Sequence, residues 1–93
     1  MADEIINNLS MSRYELPIAD GAVAVTYYSL QNGRVVLLHT EVPTEFGGQG
    51  IGKRLAHAVF ETLQAEGKRV IAKCPFMASY AVRHPEYAAI LDG

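Results

Sequence analysis

Four glycines in six residues, Gly47, Gly48, Gly50 and Gly52, stand between a continuous apolar run and a helical stripe, and no other feature constrains the fold as much. Upstream, Val35-Val36-Leu37-Leu38 reads as a strand covered on both faces, hence central in its sheet. Downstream, Ile51, Leu55, Ala56, Val59 and Leu63 recur at helical spacing, with Lys53, Arg54, His57, Glu61 and Gln64 on the remaining, solvated surface. A strand that ends in glycines and resumes as a helix aims unbonded N–H groups, and the positive end of the helix dipole, at whatever the loop holds. Without Cβ atoms the backbone can close on a ligand's oxygens. Lys53 and Arg54 oppose the dipole in that first turn unless an anion compensates them. The stretch therefore predicts a phosphate site, the plainer alternative being a flexible linker followed by two solvated basic residues.

Two familiar phosphate loops are excluded by single residues. A G-x-x-x-x-G-K-[ST] loop needs a Mg²⁺-binding hydroxyl where Arg54 stands, and a G-x-G-x-x-G dinucleotide loop needs a glycine where Leu55 stands.

The rest of the chain supplies a small sheet around the loop. Ile5 and Ile6 start a short edge strand, preceded by frayed residues. Tyr14, Leu16 and Ile18 alternate with Arg13, Glu15 and Pro17 in the next, and Ala22 to Leu30 is a longer strand rich in Val, Thr and Tyr. Asp20-Gly21 and Asn32-Gly33 are hairpin signals, so these strands and Val35 to Val42 run antiparallel. Gly67 ends the first helix, Arg69 to Lys73 is a strand brought back parallel to its predecessor, and Pro75 opens a second helix. That helix stops near Arg83, because His84 precedes Pro85, and Tyr87, Ile90 and Leu91 fold back on the core. The expected fold is one α/β (α+β) domain over residues 1–93: a mixed, mostly antiparallel sheet with a glycine-loop/helix crossover and a C-terminal helix.

His39-Thr40-Glu41-Val42-Pro43, the loop Val42 to Gly52, Cys74-Pro75-Phe76 and Arg83-His84-Pro85-Glu86-Tyr87 together resemble the GNAT (GCN5-related N-acetyltransferase-like) superfamily, in particular its small single-domain YjdJ-type members. The loop is similar to the acetyl-CoA diphosphate loop R/Q-x-x-G-x-G/A, except that Gly47 stands at the first position, usually Arg or Gln, where a bracing side chain is lost. The resemblance implies an abbreviated GNAT fold with acetyl-CoA as co-substrate. It implies that Gly47, Gly48, Gln49, Gly50, Ile51, Gly52 and Lys53 form the diphosphate loop, that the backbones of Glu41 and Val42 meet pantetheine, and that the Val42 N–H donates to the acyl oxygen.

Acetyl transfer to an amine needs a base, an oxyanion donor and a proton for the departing thiolate. His39 and Glu41, two apart on one strand, share a face and are the candidate bases. Cys74, at the second helix's N-terminus, is a candidate thiolate partner or acyl-accepting nucleophile. Tyr80 falls about where GNAT enzymes carry the tyrosine that protonates the thiolate. A ligand set of His84, Cys74 and His39 lacks the close-spaced pair a metal site needs, so no metal is expected. The expected function is acetyl transfer from acetyl-CoA to an unidentified primary amine, small molecule or protein; the alternative is a non-catalytic acyl-CoA-binding or sensor module. A net charge of -2 gives no reason to expect nucleic acid or a membrane as partner. One cysteine, no signal-peptide pattern and no long apolar run predict a cytoplasmic protein, in which the match Asn8-Leu9-Ser10 to a glycosylation acceptor is chance.

Overall fold

The computed structural model describes residues 4–92; the fraying expected at the start of the chain falls in part on residues 1–3, outside that range. One five-stranded sheet follows chain order: β1 (Ile6–Asn8), β2 (Arg13–Pro17), β3 (Val23–Gln31), β4 (Arg34–Glu41) and β5 (Arg69–Ala72). The first four strands are antiparallel to their neighbours, and β5 is parallel to β4. Helix α1 (Ile51–Ala65) forms the crossover and α2 (Pro75–Arg83) follows β5. Asp20, Gly21, Asn32 and Gly33 all have positive φ: Asn32-Gly33 makes a two-residue type I′ hairpin between Gln31 and Arg34, while Asp20-Gly21 turns the longer loop between Pro17 and Val23.

Both helices cover the same face of the sheet. Leu16, Ala24, Tyr28, Val35 and Leu37 belong to one core with Leu55, Val59, Phe60, Leu63 and Met77. Burial of each large side chain stabilises the fold by about 1.5–3 kcal/mol. The chain end closes the core: Tyr87, in the 3-10 segment Pro85–Ile90, is fully buried with its ring 5.2 Å from Phe60.

Past that segment the chain is pinned to the edge of β5. The Asp92 N–H donates to the Val70 carbonyl at 2.8 Å, and the Asp92 carboxylate accepts from Arg69 Nη2 at 2.6 Å and from Arg34 Nε. Hydrogen bonds from Arg69, then Arg34, hold this carboxyl below the usual aspartate range. A depressed folded-state pKa contributes stability above the unfolded value and loses it as pH falls through the folded one. Asp92→Asn is therefore expected to lower Tm at pH 7, and that difference should shrink as the pH falls below about 4. Thermal melts of both proteins at pH 7 and pH 3 check this.

Two irregularities of β4 position the site. Tyr27 pairs with His39 whereas Tyr28 pairs with Leu37, so Leu38 is an extra residue, a β-bulge. Alternation resumes one step out of phase. Before the bulge Val35 and Leu37 face the helices; after it Thr40 and Val42 do, and His39 and Glu41 face away. The pairing of β4 with β5 also stops at Leu37↔Ala72. There the N–H groups of Lys73 and Cys74 both donate to the Leu37 carbonyl at 2.9 Å, and the chain turns into α2. Past Leu37, β4 pairs with β3 alone among the described residues.

Candidate active site

The unaccompanied edge of β4 leads directly into the glycine loop. A 3-10 turn, Thr44–Phe46, precedes Gly47, whose N–H donates to the Thr44 carbonyl at 3.0 Å. A Cβ on Gly47 would meet that carbonyl oxygen at 3.2 Å, so the tight turn itself disfavours the Arg or Gln usual at this motif position. Gly48 and Gly50 have φ of +80° and +75°, and Gly50 caps α1 with no side-chain hydrogen bond. The N–H groups of the first turn point into the loop, and Arg54 N, donating to Gly50 O at 3.1 Å, makes the first helical bond.

Beside the loop, the first turns of the two helices meet. A Cβ on Gly52 would lie 2.9 Å from the Phe76 ring, so the glycine lets that ring settle on α1. Between α1 and α2 runs a groove of about 640 Å³ whose wall includes Lys53, Arg54, His57, Arg83 and His84 and no carboxylate. Its charge favours a polyanion.

Tyr80 lies in this groove, its ring stacked on Phe60 and, at 3.8 Å, on His84. Its hydroxyl is 3.4 Å from His57 Nδ1, and that nitrogen is 3.3 Å from the Tyr87 hydroxyl, which donates to Glu61 at 2.6 Å. His57 is thus a half-buried bridge between two tyrosines, where helical spacing alone predicts a solvated residue. Burial first, with nearby Glu86 and Glu61, raises the Tyr80 pKa, which keeps its hydroxyl protonated.

Cys74 lies elsewhere, at the strand end. It is buried, with Sγ 3.3 Å from Thr40 Oγ1, which is 2.9 Å from Oγ1 of the fully buried Thr26. Thr26 Oγ1 is also 3.2 Å from the His39 carbonyl oxygen. A carbonyl only accepts, so proton counting gives the chain one direction: Thr26 donates to the carbonyl, Thr40 to Thr26, and the Cys74 S–H to Thr40.

His39 and Glu41, 3.1 Å apart, project from the opposite face of β4, both well exposed, with the His39 ring stacked on Tyr27. The structure therefore brings together His39 with Glu41, and Cys74 with Thr40. It places Tyr80 apart from both pairs, in the α1–α2 groove. Sequence reasoning missed Thr26 and Thr40. Thr26 keeps the core-facing phase of Ala24 and Tyr28, a readable signal, whereas the phase of Thr40 is set by the bulge.

A mixed sheet whose β4 parts from its parallel neighbour and runs through a glycine loop into a crossover helix is the GNAT fold. The match to known sequences agrees: residues 13–90 fit the family described as GCN5-related N-acetyl-transferase, and the chain belongs to it. It is 35% identical over 63 residues to Protein NATD1 of Homo sapiens and of Mus musculus, a stretch covering 67% of this chain. That stretch is 56% of the human and 57% of the mouse protein, so the chain spans little more than half the length of these relatives. The NMR structure of a GCN5-like protein from Staphylococcus aureus superposes with a TM-score of 0.70 at 28% identity, covering 100% of this chain and 92% of that one.

Proposed function

We propose that the chain binds acetyl-CoA and transfers its acetyl group to a primary amine. One observation carries the reading: the β4 edge left without a parallel partner beyond Leu37 leads without interruption to the amides of the glycine loop and the cationic α1–α2 groove. Pantetheine pairs with Glu41 and Val42, the diphosphate accepts from amides between Gly48 and Lys53, and the phosphorylated nucleoside takes the groove beside Lys53 and Arg83. The open space around the Cβ positions of Gly48 and Gly50 supports a close approach of ligand oxygens.

Glu41, with His39 hydrogen-bonded to it at 3.1 Å, removes the proton from the acceptor ammonium. The neutral nitrogen attacks the thioester carbon, and the Val42 N–H donates to the oxyanion as the C–N bond forms. As the C–S bond breaks, the tetrahedral nitrogen loses its second proton and the departing sulfur takes one, giving a neutral N-acetyl amine and CoA with a free thiol. Cys74, at the end of β5 with Sγ 3.3 Å from Thr40 Oγ1, hands a proton to that sulfur and regains one from the tetrahedral nitrogen. Tyr80, its hydroxyl turned to His57, suits the nucleotide groove better. A second reading, an acyl-CoA-binding module without catalysis, draws on the solvent exposure of His39 and Glu41.

Calorimetric titration with acetyl-CoA and with acetyl-pantetheine tests the binding mode. Acetyl-CoA is expected to bind at least ~100-fold more tightly, since two or more charge-assisted phosphate contacts contribute about 1.5–3 kcal/mol each. Equal affinity would sink the phosphate assignment, and no binding of either would sink both readings.

A further inference from the structure

At the end of α1 away from the glycine loop, roughly 20 Å along the helix axis, lies a separate cleft. Its volume is about 510 Å³, within the range of small-molecule sites. Glu4 and Ile5 line it ahead of the edge strand β1, with Asn7 on β1, Tyr14 on β2, and Thr62 and Glu66 at the end of α1. Tyr14 is only 3% exposed, and its ring lies 5.0 Å from that of Tyr28. The Tyr28 hydroxyl donates to Asn7 Oδ1 at 2.7 Å, whereas the Tyr14 hydroxyl has no hydrogen-bond partner among the described residues. Polar groups so deeply placed are bonded as a rule. Among the described residues no side-chain nitrogen or oxygen sealed from solvent lacks a partner, so this hydroxyl reaches the surface through the cleft. Burial, then Tyr28 and Glu66, pushes its pKa up to about 12, so it stays a protonated phenol with lone pairs to offer.

The cleft carries negative charge and no cation to offset it. Glu4 and Glu66 form no ion pair among the described residues. Glu66 is the C-cap of α1, whose last turn holds no basic residue, so the negative end of the helix dipole adds to its charge. Lys68 and Arg69, next in the chain, do not line the cleft, and Arg69 is held by the Ala89 carbonyl at 2.6 Å and by Asp92. The charge therefore selects a cation. A metal ion fits poorly, because among the described residues no three His, Cys, Asp or Glu side chains gather as ligands. Ile5 and the Tyr14 ring instead supply apolar wall for a hydrocarbon chain.

We propose that this cleft binds a short aliphatic diamine as its dication, at a site separate from the acetyl-transfer centre. One ammonium meets Glu66 and the Tyr14 hydroxyl, the other meets Glu4, and the methylenes cover Ile5. The two carboxylates belong to different elements, so the ligand ties the edge of the sheet to the end of α1. A monoamine answers only one of them. The site does not draw on the acetyl-CoA reading and stands or falls without it.

The test titrates 1,4-diaminobutane and n-butylamine, equal in chain length, into ¹⁵N-labelled protein at matched ionic strength, with magnesium chloride as the metal probe. Diaminobutane is expected to shift the amides of Ile5, Asn7, Thr62 and Glu66 saturably, with n-butylamine about tenfold weaker. Glu66→Gln should bring the two amines to equal affinity. Tyr14→Phe should weaken diaminobutane about fivefold while Tm stays level or rises, because the hydroxyl makes no hydrogen bond in the fold. A tyrosine that only packs would leave the affinity unchanged. The spectrum of each variant reports its fold. Butylamine binding as tightly as the diamine, magnesium binding as tightly at the same amides, shifts centred on the glycine loop or Glu41, no saturable shifts, or Tyr14→Phe without effect on affinity would each overturn the proposal.

Discussion

Replacing Gly50 by valine is expected to weaken acetyl-CoA binding by ~100-fold or more while the protein remains folded, because backbone strain and lost amide contacts together exceed about 3 kcal/mol. Gly50 sits at φ 75°, ψ 13° at the N-terminus of α1, a conformation that β-branched residues strongly disfavour. Nothing lies within 4 Å of a Cβ built there, so the added Cβ meets no clash and the strain falls on the backbone. Relief comes from moving φ to negative values, which turns the following amides away from the ligand. Gly67→Val is the control. It has φ of +68° and equally open surroundings, but it lies just past the opposite end of α1. Both variants should lose comparable thermal stability, and only Gly50→Val should lose binding in calorimetry. Binding unchanged by Gly50→Val would mean that the loop amides do not hold the diphosphate.

Glu41→Gln is expected to lower kcat/KM for amine acetylation by about 10²–10⁴-fold, the usual contribution of a positioned general base. The side chain is exposed and lies at the end of β4, so the change removes a proton acceptor without opening a cavity or stranding a buried partner. The readout is CoA release with a primary-amine acceptor. His39→Ala should cost less, because the imidazole reaches the reaction through Glu41. A wild-type protein that binds acetyl-CoA but releases no CoA with any amine would support the non-catalytic binding module. Loss of activity in the variant through unfolding would appear as a lowered Tm, which the exposure of Glu41 argues against.

Much of this protein was legible before any coordinates. Asn32-Gly33 and Asp20-Gly21 require positive φ at two consecutive residues, which few other pairs adopt, so the hairpins followed from local chemistry. Gly67 past α1, Pro75 at the start of α2 and His84 before Pro85 fixed helix limits to within a residue or two for the same reason. The glycine loop declared itself because a strand-to-helix junction without Cβ atoms leaves amides unpaired and open to an anion. Acetyl-CoA as the proposed anion came from the family resemblance, since spacing alone does not name it.

The grouping of the catalytic candidates was different. Continued alternation from Val35 and Leu37 would carry His39 and Glu41 to the helix face, beside Cys74. The bulge at Leu38 turns them to the other face and puts Thr40 next to the thiol. Likewise, His57 reads as a solvated helix residue until the chain end folds back and brings Tyr87 against it. A one-residue slip between strands costs little locally but moves every later side chain to the opposite face. That slip is set by how β3 and β4 pair across the sheet. Local residue chemistry therefore determined the turns, the helix limits and the glycine loop, whereas tertiary structure decided which side chains meet, because those contacts depend on register and on segments distant in sequence.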